Sequence, residues 1–220
     1  MDEAANGDAM LSDLESRVLG CLMEKQMTTP DYYPLTLNSL VTACNQKSSR
    51  LSVMNLTPGQ VGGVVNGLRG RGLVTARMDG RADKFEQHLS RKLSLNSKER
   101  AIVCVLMLRG ALTLNEIRIN TGRMVSFDEG EELQQLVQGL IERDEPIVVK
   151  LPKASGQRED RYMQLLCGEA DIEALNSDAG GSAGSSKASV GQGERITQLE
   201  QEVLSLRQEL AELRELIDRK

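Results

Sequence analysis

The chain is predicted to be mainly α with small β-hairpins, an α+β fold of two tandem winged helix-turn-helix domains followed by a coiled-coil helix. Three observations predict it. A unit of two short helices, a third helix and two strands around a polar turn occurs twice, over residues 11–89 and 95–166. Helix-start signals stand at matching places in the two copies. A strict aliphatic heptad closes the chain. The expected organisation is a disordered segment 1–10, a first winged-helix domain 11–92, a second 93–168, a flexible Gly/Ser-rich linker 169–193 and a coiled-coil helix 194–220.

In the first copy, Ser12 and Glu15 form a capping box, in which a hydroxyl and a carboxylate satisfy two orphan amides. Leu14, Val18, Cys21 and Leu22 follow on one helical face. Pro30 and Pro34 end this helix. Residues 36–45 predict the second helix, with Leu37, Leu40, Val41 and Cys44 apolar. Thr57, Pro58 and Gln60 are a strong start for the third, and Val61, Val64, Val65 and Leu68 are its buried stripe. Residues 73–77 and 84–89 alternate as strands around Met78-Asp79-Gly80-Arg81, a hairpin signal. In the second copy, Asn96/Glu99, Thr113/Glu116 and Ser126/Glu129 cap three helices in turn. Residues 147–151 and 161–166 are the strands.

Composition excludes several functions. The longest apolar run, residues 101–108, falls far short of the ~20 residues that span a bilayer. The opening decapeptide is acidic and lacks an apolar core, so no signal peptide is expected and the cytoplasm is the expected location. The four cysteines match no metal-binding or redox spacing and are expected to be buried, reduced thiols. The single histidine, His88, cannot form a metal cluster and is taken as structural. No phosphate-cradling glycine loop and no nucleophile motif is present. No catalytic residue, metal or cofactor is therefore expected, and the chain is not expected to be an enzyme. Aromatic residues make up 2% of the chain, too few for a base-stacking platform.

The net charge of −5 hides an asymmetry. Residues 10–92 carry +4, residues 93–168 carry −1 and residues 169–220 carry −5. A phosphate backbone would therefore meet the first domain. Its expected contacts are Lys47, Arg50, Arg69, Arg71, Arg77, Arg81 and Lys84, with Asn66 the one residue of the third helix suited to a base edge. That helix otherwise exposes Gly59, Gly62, Gly63, Gly67 and Gly70, a face that reads no bases and admits another backbone closely. The third helix of the second copy opens with Asp128, Glu129, Glu131 and Glu132, which repel phosphates. That copy is expected to dock a protein partner.

In the tail, Ile196, Val203, Leu210 and Ile217 take position a, and Leu199, Leu206 and Leu213 take d. β-Branched a with Leu at d prefers a parallel dimer. The flanking pairs Arg195/Glu200, Glu202/Arg207 and Glu209/Arg214 are then all of opposite sign. A lone helix folded back on the domains, or one that binds another protein, remains an alternative.

The stretch from Thr29 to Arg50, TPDYYPLTLNSLVTACNQKSSR, resembles the YceH-like family of functionally uncharacterised bacterial proteins. So do Val53-Met54-Asn55-Leu56-Thr57, Val105-Leu106-Met107-Leu108-Arg109-Gly110, Glu116-Ile117-Arg118 and Thr121-Gly122-Arg123-Met124. The resemblance covers about residues 11–166. It implies a tandem winged-helix fold and no activity. Together these features predict a DNA-associated protein, of which a transcriptional regulator is one form. The alternative is a protein–protein scaffold that binds no DNA. If the heptads form the dimer, deleting residues 193–220 halves the mass measured by light scattering, whereas an unchanged mass removes the tail as the dimer-former.

Overall fold

The computed structural model describes residues 10–79, 82–128, 130–153 and 159–168. All belong to one compact unit, Met1–Ser182. The heptad residues Ile196, Leu199, Val203, Leu206, Leu210, Leu213 and Ile217 lie outside the described residues. The fold is α+β, and the same series of elements runs twice. The first is α1 (Asp13–Thr28), β1 (Leu35–Thr36), α2 (Leu37–Cys44), α3 (Pro58–Gly70), β2 (Val74–Asp79) and β3 (Ala82–Gln87). A short helix α4 (Leu89–Lys92) leads to α5 (Ser97–Arg109), β4 (Leu112–Thr113), α6 (Leu114–Thr121), α7 (Gly130–Ile141), β5 (Val148–Leu151) and β6 (Arg161–Gln164).

Local chemistry places most helix starts where the sequence puts them. Complete capping boxes close on Ser12/Glu15, Thr57/Gln60, Asn96/Glu99 and Thr113/Glu116, and the Thr36 hydroxyl caps α2. Each box satisfies amides that the first helical turn leaves unpaired. One expected cap is corrected. α7 begins at Gly130, four residues beyond Ser126. The carboxylate that reaches back is Glu132, which accepts from the Asp128 amide at 3.0 Å.

The strands also differ from expectation. β2 and β3 run further toward the turn, pairing as far as Asp79 with Ala82. Each hairpin gains a third strand that no sequence pattern announces. The two-residue β1 and β4 join antiparallel to give the orders β1-β3-β2 and β4-β6-β5. Leu35 opposes Phe85, and Leu112 opposes Tyr162. In both copies the strand residues then lead directly into a helix capped by threonine, Thr36 or Thr113.

One apolar core runs through both copies. Its centre is the packing of α1 on α5. Every residue from Ala101 to Leu108 is buried, so α5 has no solvent face in this stretch. Gly20 makes the approach possible, because a Cβ there would stand 2.9 Å from Leu108 Cδ2. The Cys104 thiol donates to the Gly20 carbonyl at 3.4 Å. Backbone clasps add to the contact. The Leu11 amide donates to the Leu166 carbonyl (2.7 Å) and the Leu51 amide to the Leu108 carbonyl (2.8 Å). One apolar side chain of the second copy lies outside this core. Ile119 of α6 is 67% exposed. Among the described residues no helix is long and apolar enough to cross a membrane.

Two glycines test this packing by opposite signs. Gly20→Ala overfills the α1–α5 contact and is expected to destabilise the protein by about 1–3 kcal/mol. Gly67→Ala, on α3 with nothing within 4 Å of a Cβ, is expected to stabilise it by up to ~1 kcal/mol through helix propensity. Urea denaturation measures both.

Candidate nucleic-acid interface

α3 is held by its apolar stripe. Val61, Val65 and Leu68 are fully buried against the first copy's core. The opposite face carries Gly59, Gly63, Asn66, Gly67, Arg69 and Gly70, all exposed. A Cβ at Gly63, Gly67 or Gly70 would meet nothing within 4 Å, and one at Gly62 would touch only Leu37 Cδ2 at 3.9 Å. The glycine face is therefore open and not packed under another part of the described chain. Asn66 and Arg69 act together: Arg69 Nη1 donates to Asn66 Oδ1 at 3.4 Å.

The hairpin adds a second group of cations. Arg77 on β2 stands directly opposite Lys84 on β3. Like charges so placed repel, and Glu86, 3.4 Å from Arg77, offsets part of that repulsion. Arg77 is exposed and Lys84 half-buried. Lys47 is exposed in the loop after α2, where it lines a shallow groove with Lys25, Ser39, Thr42 and Gln46. Arg81 lies outside the described residues. His88 closes the sheet at 2.8 Å from the Thr75 hydroxyl, a structural contact.

One expected phosphate contact, Arg50, is corrected, and a second, Arg71, is engaged with α1. Arg50 is 9% exposed and its guanidinium is enclosed. It grips Glu24 of α1 through two parallel bonds, Nη2 to Oε2 at 2.7 Å and Nη1 to Oε1 at 3.0 Å, and also donates to the Ala43 and Ser49 carbonyls. Its Nε–H has no partner but is buried with the rest of the group, so the guanidinium does not reach a duplex. Arg71 caps α3 but turns back to the N-terminus of α1, where it pairs with Glu15 at 3.1 Å and donates to the Met10 carbonyl. Of the expected contacts among the described residues, Lys47, Arg69 and Arg77 are exposed and Lys84 is half-buried.

The burial of Arg50 is part of a wider cluster that residue patterns alone did not reveal. Arg17, also on α1 and 4% exposed, donates to the Cys44 carbonyl (3.3 Å) and the Ser52 carbonyl (2.9 Å). Arg17 and Arg50 thus anchor the irregular loop between α2 and α3 from both sides. Ser49, with φ +63°, turns the chain directly before Arg50. A signal existed: Arg17, Cys21 and Glu24 share one face of α1 at spacings of four and three, and that face is otherwise apolar.

Titration follows from these pairings. Burial raises the Glu24 pKa, but the hydrogen bonds and charge of Arg50 outweigh it and hold the carboxyl below the ordinary range. At Glu15 burial is likewise outweighed, by the Ser12 amide and by Arg71. In the second copy Lys98 of α5 bonds Glu132 and lies 3.4 Å from Asp128, and the Lys98 hydrogen bond lowers Glu132. Two of the acidic groups at the start of α7 are thus engaged. The exposed face beyond them carries Glu131, Gln134, Gln135 and Gln138 and no cation. Among the described residues no group of three or more His, Cys, Asp or Glu side chains is placed to hold a metal ion.

The family described as "Protein of unknown function, DUF480" matches residues 11–157. The chain is similar over nearly its whole length to UPF0502 proteins of bacteria. One from Vibrio atlanticus is 45% identical over 218 residues, covering 96% of this chain and 98% of the relative. One from Cellvibrio japonicus is 43% identical over 212 residues, covering 96% and 94%. One from Azotobacter vinelandii is 49% identical over 162 residues, covering 74% and 72%.

The Glu24–Arg50 pair predicts a pH dependence. A carboxyl whose folded pKa lies below its unfolded value contributes stability that is complete above the unfolded value and is lost as pH falls through the folded one. Glu24→Gln leaves a buried guanidinium uncompensated and is expected to cost about 3–5 kcal/mol at pH 7. Denaturation of both proteins from pH 7 to pH 3 should show the gap narrowing as wild-type Glu24 becomes protonated. A gap independent of pH would mean that the carboxylate's charge is not what the pair contributes.

Proposed function

The chain belongs to the DUF480 family, and from that premise we propose that its two repeats are winged helix-turn-helix modules, the first of which binds double-stranded DNA through the phosphates. The observation that carries this reading is the open outer face of α3, flanked by Asn66 and Arg69 on the helix and by Arg77 and Lys84 on the adjacent hairpin. The order of three helices followed by a hairpin supports it, since in such modules the third helix enters the major groove. Cations at these positions neutralise phosphates and fix orientation.

A glycine face contributes no donors or acceptors to base edges, and Asn66 already accepts from Arg69. Binding is therefore sequence-tolerant and strongly salt-dependent. The heptad pattern of residues 194–220, which lie outside the described residues, favours a homodimer, and a dimer carries two such surfaces. The protein is a cytoplasmic binding protein and not an enzyme; regulation of transcription is one use of such a module. A second reading, a scaffold that docks proteins, is favoured by the α7 face of Glu131, Gln134, Gln135 and Gln138, which offers phosphates no cation and carries polar groups suited to a protein partner.

Fluorescence anisotropy with a labelled duplex, at rising salt, tests the first reading. Binding is expected at low salt. Reversing Arg69 and Arg77 to Glu should weaken it and flatten the slope of log K against log salt by about two, one for each phosphate lost. Absence of binding at low salt, or binding untouched by the two reversals, shifts the conclusion to the scaffold.

A further inference from the structure

Two outward faces of the second copy complement each other. α6 carries Asn115, Arg118 and Ile119 on one side, and the turn after it continues that side with Gly122 and Arg123, at helical spacing. All five are exposed, Ile119 by 67%. A lone exposed aliphatic side chain is ordinary. This one stands between two arginines, and among the described residues no carboxylate pairs with either guanidinium. The fold does not ask for it. α2 and α6 both open with Leu-Asn behind a threonine cap, and in that register Ile119 corresponds to Thr42, Arg118 to Val41 and Arg123 to Gln46. The first copy thus puts a hydroxyl where the second exposes isoleucine, and uncharged side chains at both flanks.

α7 supplies the counterpart. Glu131, Gln134, Gln135, Gln138, Gly139 and Glu142 are all exposed and line a shallow polar groove. Gly139 leaves a notch in it between Gln135 and Glu142, one turn to either side, and a Cβ there would meet nothing within 4 Å. Gln138 Nε2 donates to Glu142 Oε1 at 2.6 Å, which orients that carboxylate without neutralising it. The nearby cations are spent elsewhere: Lys98 on Asp128 and Glu132, and Arg143 on Glu99. Among the described residues Glu131 and Glu142 therefore meet no cation.

An apolar knob rimmed by two unpaired cations fits a notch rimmed by two unpaired carboxylates, both in shape and in sign. We propose that the second copy is a self-association surface, in which Ile119 of one molecule seats on Gly139 of another while Arg118 and Arg123 pair with Glu142 and Glu131. The occupant of the groove is thus a second copy of this chain. Knob and notch stand on the same copy, so every molecule brings both, and a reciprocal contact closes a twofold dimer. The isoleucine excludes water from the centre, and the charged rim sets the register and makes the contact weaken as salt rises. The inference goes beyond both readings of function, since it needs neither a duplex nor a foreign partner. Arg69 and Arg77 belong to the first copy, so duplex binding and this contact are lost by different substitutions.

The test co-expresses two full-length chains, one with Ile119→Cys and the other with Gly139→Cys, oxidises them mildly and maps the peptides without reduction. Both positions are exposed and the space beside Gly139 is open, so neither substitution disturbs the core. The expected result is a disulfide joining the Ile119→Cys peptide to the Gly139→Cys peptide, because seating brings the two backbones within disulfide reach. With one engineered thiol per chain, that link forms only between molecules. Adding Arg118→Glu and Arg123→Glu to the first chain is expected to remove it, and Glu131→Arg with Glu142→Arg in the second chain to restore it. Restoration separates loss of the contact from loss of the fold. A missing link overturns the proposal, as does one that joins position 119 only to Cys167 or to position 119 of another chain, or one that survives the first pair of reversals.

Discussion

The close approach of α1 and α5 is the contact on which the rest of the described structure depends. Each repeat is too small to bury much apolar surface alone, and the two share one core because the first helix of each is packed on the other. Helices normally stand 8–10 Å apart, set by the side chains between them. At Gly20 that spacing can shrink, and Leu108 fills the place of the missing side chain. The consequence is an α5 apolar all round from Ala101 to Leu108, a pattern that makes sense only for a helix covered on every side.

The second constraint is electrostatic. Arg17, Glu24 and Arg50 sit where a core would usually be aliphatic, and they hold the loop that leads to α3. A buried pair of this kind gains little net stability over an apolar replacement, but it is costly to break and it dictates one arrangement of the chain. Here that arrangement is the position of the α2–α3 loop, fastened through the Ala43, Cys44, Ser49 and Ser52 carbonyls. The orientation of α3, and with it the direction in which Asn66 and Arg69 point, follows from this anchoring.

The two repeats share their interior and differ outside. The His88 amide donates to the Leu73 carbonyl just as the Leu165 amide donates to the Ile147 carbonyl, and a buried glutamine, Gln87 or Gln164, opposes a valine in each hairpin. The exposed faces of α3 and α7 have little in common: one is glycine with arginine at its end, the other glutamine and glutamate. The two copies therefore share a scaffold and not a surface chemistry.

What the sequence by itself determined is local. Capping boxes, proline breaks and the Asp-Gly turn act within a few residues, so Ser12, Thr57, Asn96 and Thr113 announce their helices, and the family follows from the stretch between Thr29 and Arg50. The open face of α3 was legible for the same reason, since helical spacing alone separates Val61, Val65 and Leu68 from the glycines. The tertiary structure decided what depends on residues far apart in the chain. β1 and β4 are strands only because β3 and β6 supply partners for their two residues. Arg50 looked like a surface cation among Lys47 and Arg69, and it became a core residue because Glu24, 26 positions earlier, lies opposite it once α1 and α2 pack. Charge is a property of a residue; whether that charge meets water, a carboxylate or a phosphate is settled by the neighbours that folding brings.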